Sequence, residues 1–265
     1  MQASLPAAIV VFYFIITIVV VCRPADTNEM NQRDPTTRAR TPSDFFGNLE
    51  RGDRDALLAA GSHRAFAKDE FVFRIGDPGV RVYFLESGRI KIYQPAESGR
   101  EVILWYCLPG EIFGLAEVAG GGGERTVSAQ ACDASTVLAV AHDAFHRIVA
   151  SRPGIGLLAI QVLSARLRGL SDVMVNLIAD DVDTRIAKLI LRLGMRYGRR
   201  DGRVTRLEIP LTHQEIADMV GTTRQTVTSA LSRLKRQGVL TIETRRILIE
   251  SEELLSDLTH PPDSA

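Results

Sequence analysis

The stretch LTHQEIADMVGTTRQTVTSALSRLKRQG, Leu211 to Gly238, decides how the rest of this chain is read. Thr212 stands just ahead of an apolar-periodic run, and Glu215 follows three residues later. That spacing is a capping box: the hydroxyl takes an amide of the first turn while the carboxylate returns to the cap's own amide. Ile216, Met219 and Val220 supply the apolar face of a first helix. Gly221 then falls where the backbone must turn left-handed to leave that helix. Thr223 is placed to cap a second helix with an apolar face of Val227, Ala230, Leu231 and Leu234, stopping near Gly238. Two short helices about a glycine turn, the second polar on its outer side, make a helix-turn-helix.

The outer side of the second helix carries Arg224, Gln225, Thr228 and Ser229 near its start. These are base-reading types: arginine bonds guanine bidentately, glutamine bonds adenine, and hydroxyls bond either. Arg233, Lys235 and Arg236 close the helix, and Arg245 and Arg246 lie in a following hairpin, VLTIE then RRILIE, that reads as a wing. Such positions suit phosphates. With the helix-starting Thr212 and Thr223, these residues form the candidate DNA-binding set. Arg203 to Ile249 holds eight Lys or Arg against four Asp or Glu, so the region is basic although the whole chain has net charge zero. The plain alternative is the solvated face of an ordinary helical hairpin. Cap, glycine, polar nose and wing in one order favour DNA.

Upstream, Pro153 sits where a helix can start. Ile160, Leu163, Leu167, Leu170, Met174 and Leu177 then recur at alternating spacings of three and four, with Leu158 and Ile178 beside them. This narrow seam, flanked by Arg166, Arg168, Asp172 and Asn176, predicts a helix paired with its twin. A second helix, DTRIAKLILRLGMRYG, closes on Gly198, and the polar segment RRDGRVTRLEIP leads to the helix-turn-helix. Before Pro153 the period is two. EFVFRIGDPG, VRVYFLESGRIKIYQ, EVILWYCLPGEIFG and ERTVSAQACDASTVLAVAH are strand-sized pieces parted by glycine turns, which predicts an antiparallel roll or barrel. A short helical pattern, Phe45, Phe46, Leu49, Leu57 and Leu58, precedes them.

The chain opens on LPAAIVVFYFIITIVVVC, Leu5 to Cys22, with no charge. It is near the lower length limit for a membrane span. No basic residue precedes it, and bulky Val21 stands before Cys22, so neither a secretory signal nor a lipidated cysteine fits. Two readings remain: a leader outside the working protein, with Met30 as the start, or an anchor whose trailing Arg23, Arg33, Arg38 and Arg40 keep the rest in the cytoplasm. Both place the working part in the cytoplasm. Across 265 residues, 45% hydrophobic and 24% charged composition is globular, and the three cysteines form no CxxC pair.

In this order the motifs GDPGVRVYFLESGRIKIY, PGEIFGLAEVAGGGGERTVSAQA, DVDTRIAKLIL and LTHQEIADMVGTTRQTVTSALSRLKRQG resemble the cAMP-receptor-protein/FNR family of bacterial transcription regulators. The resemblance covers roughly residues 45 to 250. It implies an α+β chain: an N-terminal cyclic-nucleotide-binding-like β-roll, a long dimerisation helix and a C-terminal winged helix-turn-helix. The expected division is a leader over residues 1–29, a linker over 30–44, a sensor over 45–150, the dimerisation helix over 151–181, the DNA-binding domain over 182–255 and a tail over 256–265. It further implies a homodimer on a palindromic site in double-stranded DNA, contact with RNA polymerase and a small-molecule effector in the roll. The junction at Asp180, Asp181 and Val182 is where the DNA-binding domains would swing. Arg224 falls on the family's guanine-reading arginine, while Gln225 and Ser229 depart from its common residues.

The same resemblance places a cyclic phosphate on Arg125 and Thr126, approached through Gly120 to Gly123. Gly114 is the glycine of the pocket. The ribose glutamate position is Leu115, with Glu117 two residues on as a substitute. The adenine-binding pair becomes Leu170 and Ser171. The effector set is therefore Gly114, Glu117, Arg125, Thr126 and Ser171, with a cyclic nucleotide possible but its pocket incomplete. Alternatively Arg125 pairs with Glu117 or Glu124 and the roll binds nothing. Three cysteines cannot make a four-cysteine cluster, whereas Cys107, His63, His142 and His146 are residue types that ligate haem. No Ser/His/Asp spacing, P-loop or metal-ligand set suggests an enzyme. A membrane-tethered nucleotide-binding module accounts for the leader and roll but leaves the last third unused.

Overall fold

The computed structural model describes residues 44–97, 99–117, 123–243 and 246–259. The leader, Arg245, Gly120 to Gly122 and most of the linker and tail lie outside them. Two short helices come first, α1 (Phe45–Asn48) and α2 (Arg51–Ala60). Then follow β1 (Gly61–Phe66), β2 (Phe71–Phe73), β3 (Arg81–Ser87), β4 (Ile90–Pro95), β5 (Glu101–Cys107), β6 (Ile112–Phe113), β7 (Ser128–Ala131) and β8 (Ser135–Ala141). Among the described residues they make two antiparallel sheets, ordered β1-β8-β3-β6 and β2-β7-β4-β5. This is the predicted roll.

Strand β3 shows how the period of two builds it. Val82 and Phe84 join Phe45, Leu57, Phe145 and Val162 beneath the helices. Tyr83 and Leu85 face the other way, into the roll, with Phe73, Ile90, Ile92 and Phe113. The edge strand β1, GSHRAF, carries no such alternation and is mostly exposed, so the sequence does not announce it.

Helix α3 (His142–Ser151) leads to α4 (Pro153–Ala179), which starts on the proline as expected. Its 27 residues span about 40 Å. Ile155, Ala159 and Val162 bury one side of its first turns against the roll. All six seam residues remain exposed on the single chain, from 42% at Leu163 to 62% at Leu167. An apolar stripe of that length left open to water is a surface that awaits a partner.

Two residues then turn the chain into α5 (Val182–Tyr197), where the Asp181 side chain accepts from the Thr184 amide at 2.8 Å. That amide holds the Asp181 carboxyl below its ordinary range. Lys188 reaches back to the Asp180 carboxylate at 2.8 Å and braces the junction.

The last third holds β9 (Gly198–Asp201), β10 (Val204–Leu207), α6 (His213–Val220), α7 (Arg224–Arg236), β11 (Leu240–Glu243), β12 (Arg246–Ile249) and α8 (Glu252–Asp257). The predicted wing is the β11–β12 pair. RRDGRVTRL forms a second hairpin beside it, giving a sheet ordered β11-β12-β10-β9. The capping box is present in full: Thr212 Oγ1 accepts from the Glu215 amide at 3.1 Å, and the Thr212 amide donates to Glu215 Oε2 at 2.7 Å.

Gly221 takes φ of +77°, the left-handed conformation its place in the sequence demands. Alanine there faces a backbone penalty of about 1–2 kcal/mol. Gly221→Ala is therefore expected to lower the melting temperature by roughly 2–8 °C in thermal denaturation, and Gly221→Asn by less, since asparagine tolerates this region.

Candidate DNA interface and effector pocket

Helix α7 buries Val227, Ala230, Leu231 and Leu234, and this fixes which residues it presents. Arg224, Gln225, Thr228 and Ser229 stand exposed on the opposite side, with Thr212 and Thr223 exposed at the two helix starts. Thr223 Oγ1 accepts from the Thr226 amide at 3.2 Å, so this threonine caps α7. The Thr228 hydroxyl donates to the Arg224 carbonyl at 2.9 Å and lies 2.8 Å from His213 Nδ1, which ties it to α6. Arg224 also lines a groove of about 420 Å³ between α6, α7 and the wing, floored by Leu211, Ile216, Leu231, Ile242 and Ile247.

Arg233 is placed differently from the other described basic residues of the set, Arg224 and Arg246. Its guanidinium contacts both carboxylate oxygens of Asp183, on α5. It pins α7 to the helix after the junction. Arg246 is half-buried on β12, opposite Glu243. Lys235 and Arg236 are exposed at the end of α7, where cations also complement the helix dipole.

The roll and the helix-turn-helix share a core that the sequence did not suggest. Tyr93, Ile103 and Tyr106 of the roll pack with Leu211, Ile216 and Ala217 of the DNA-binding part. Tyr106 donates its hydroxyl to Glu215 Oε1 at 2.8 Å, so one carboxylate both caps α6 and anchors it to β5. Burial and the Glu215 charge raise the Tyr106 phenol far above its ordinary value. Arg89 donates to the Pro210 carbonyl at 3.0 Å and lies over the Tyr106 ring at 4.8 Å. Arg196 grips both oxygens of buried Glu111 at 2.8 and 2.9 Å, and Tyr197 donates to the Tyr106 carbonyl at 3.1 Å. No local motif marks these residues, because Tyr106 and Glu215 are 109 positions apart.

In the roll, Gly114, Glu117 and Arg125 come together. Arg125 is 2% exposed. Its Nη1 donates to the Gly114 carbonyl at 3.1 Å and to Glu117 Oε2 at 2.6 Å. Its Nη2 donates to the Arg81 carbonyl, and its guanidinium lies 4.2 Å over the Phe73 ring. Gly114 has φ of +73°, and a Cβ there would stand 3.0 Å from Arg125 Nη1. The Thr126 amide points to Glu117 Oε1 at 3.4 Å, while the residue itself is exposed. Leu115, at the expected ribose position, is buried in the apolar core. Ser171 is exposed on α4 and its hydroxyl donates to the Leu167 carbonyl at 3.0 Å, within its own helix.

The residue types that ligate haem are dispersed among other contacts. Cys107 is fully buried inside the roll, where burial pushes its thiol well up, and Cys132 is pushed up to about 11 by burial. His63 lies 2.8 Å from Glu86, and His142 stacks edge-on to His146 at 5.7 Å. Among the described residues no three of His, Cys, Asp and Glu gather into a group that could hold a metal ion. Likewise, no single helix there is long and apolar enough to cross a membrane.

Two family models match this chain: the cyclic nucleotide-binding domain over residues 63–152 and the Crp-like helix-turn-helix domain over residues 184–258. The chain is similar to the CRP-like cAMP-activated global transcriptional regulator of Mycobacterium tuberculosis, 35% identical over 72% of this chain and 85% of that protein. It is 26% identical to the fumarate and nitrate reduction regulatory protein of Escherichia coli over 72% of this chain and 76% of that one. Among solved structures, a CooA variant from Carboxydothermus hydrogenoformans superposes with a TM-score of 0.68 at 26% identity, covering 80% of this chain and 93% of that one.

Proposed function

Because the chain belongs to the CRP/FNR family of DNA-binding transcription regulators, whose members are not enzymes, we propose that two copies, zipped along α4, read a palindromic site in double-stranded DNA. The working part acts in the cytoplasm. Each copy offers Arg224, Gln225, Thr228 and Ser229 to base edges in the major groove, with Arg245, Arg246 and the end of α7 on phosphates. The observation that carries this reading is the exposed polar start of α7 beside an exposed apolar seam on α4. One feature alone would leave either the reading face or the twofold spacing without a source.

The roll is the sensing part, its effector site centred on Arg125, Thr126 and Gly114, with Ser171 flanking it and Glu117 lying against Arg125. The shared core around Tyr106 and Glu215 gives such a site a rigid route to α6. An effector acts only by preferring one arrangement of roll and DNA-binding part over another. RNA polymerase is the further partner.

Selection of bound duplexes from a random-sequence pool tests the DNA reading. Recovery of an inverted repeat, with half-sites about 10 base pairs apart centre to centre, is the expected result. Recovery of single asymmetric sites, or no enrichment, contradicts it.

A further inference from the structure

We propose that Glu117 is a resident competitor for anionic effectors at Arg125. This rests on the reading of Arg125 as the effector site. A buried guanidinium needs an anion, because the interior solvates its charge poorly. Here the chain supplies one itself: the Glu117 side chain is 5% exposed, the Arg125 side chain 1% exposed, and they meet at 2.6 Å. A carboxylate and a phosphate oxygen make the same demand on the same N–H donor. They cannot both hold Arg125 Nη1 in a site this closed.

The surroundings are shaped to keep the carboxylate there. Gly79 faces it so closely that a Cβ at that position would stand 2.6 Å from the Glu117 Cβ and 2.9 Å from the Gly123 carbonyl. The Gly79 amide donates to that same carbonyl at 2.6 Å, and Pro78 pairs with Glu124 in an isolated bridge. The turn after β2 thus forms a wall behind Glu117. Nη1 also bonds the Gly114 carbonyl and Nη2 the Arg81 carbonyl, while Nε is buried without a partner. The site therefore holds a buried donor nitrogen with no partner beside one internal anion. An entering phosphate can engage Arg125 only as Glu117 leaves.

The consequence is a specificity device that works by exclusion. A cyclic nucleotide must pay for releasing Glu117 before it gains Arg125, and buried Leu115 offers its ribose no carboxylate. The site resists this ligand class at concentrations that would otherwise fill it.

The test is cAMP titration by calorimetry on the full chain and on Glu117→Gln, which keeps shape and an acceptor but removes the charge. Glu117→Gln is expected to bind cAMP at least tenfold tighter than the unaltered chain. Inorganic phosphate is expected to raise the melting temperature of Glu117→Gln by several degrees and leave that of the unaltered chain in place, since ligand bound only to the folded state stabilises it. Adding Arg125→Ala should abolish both gains. Equal cAMP affinity in the two chains, strong or undetectable, overturns the proposal. Micromolar cAMP binding by the unaltered chain overturns it without any variant, so the conclusion does not hang on how well Glu117→Gln folds. A gain that survives Arg125→Ala instead overturns the placement of the effector site at Arg125.

Discussion

Arg224→Ala is expected to cost a selected palindrome far more than random DNA. A bidentate arginine–guanine pair discriminates by about 1–3 kcal/mol, and a twofold-symmetric complex loses it twice. The specific site should therefore weaken by roughly 2–6 kcal/mol, between about thirtyfold and twenty-thousandfold, when titrated at fixed salt. Random duplex should weaken by only the small share of one charge per copy. The geometry supports the asymmetry: Arg224 is exposed at the first position of α7, directly after the Thr223 cap. Arg233 should behave otherwise. It is tied to Asp183, so Arg233→Ala is expected to act through the seating of α7 on α5 more than through direct contact.

Leu167→Glu is expected to have the other large effect, on assembly. Leu167 is 62% exposed in the single chain and sits mid-seam between Leu163 and Leu170. In a symmetric pair it faces its own counterpart, so one substitution buries two like charges. Uncompensated charge in an interface costs several kcal/mol. A loss of about 4 kcal/mol weakens dimerisation roughly a thousandfold. Sedimentation at micromolar concentration should show the variant as single chains while its circular dichroism stays that of a folded protein. Leu157 is exposed too, at 63%, but lies outside the three-four rhythm, and Leu157→Glu should matter much less.

What the sequence disclosed and what it concealed divide by range. The capping box of Thr212 and Glu215, the left-handed Gly221, the Thr223 cap and the Pro153 start are all interactions within a few residues, and each is written in local residue types. The roll was legible as strands because β3 and β4 alternate apolar and polar residues and β5 is a short apolar run ending at a Pro-Gly turn. Its pairing order, with β8 between β1 and β3, was not, since nothing local encodes which strand meets which. The second hairpin at RRDGRVTRL was also obscure, because all four residues of β9 are exposed and carry no apolar signal.

The candidate sites follow the same rule. The polar nose of α7 could be named residue by residue because a helix repeats predictably. The pairing of Arg125 with Glu117, eight residues apart, was one of several arrangements the residues allowed, and the structure adds the Gly79 wall that selects it. The Tyr106–Glu215 anchor had no sequence signal at all. Glu215 had a complete role as a helix cap, and only the packing of β5 against α6 gives it a second.

The most direct measurement is the mass of the complex between the full chain and its selected duplex, taken by native mass spectrometry. Two chains on one inverted repeat is the predicted result, with Leu167→Glu reduced to single chains on the same DNA. One unaltered chain per duplex, holding the site with undiminished specificity, would contradict the pairing along α4 on which the function proposed here depends.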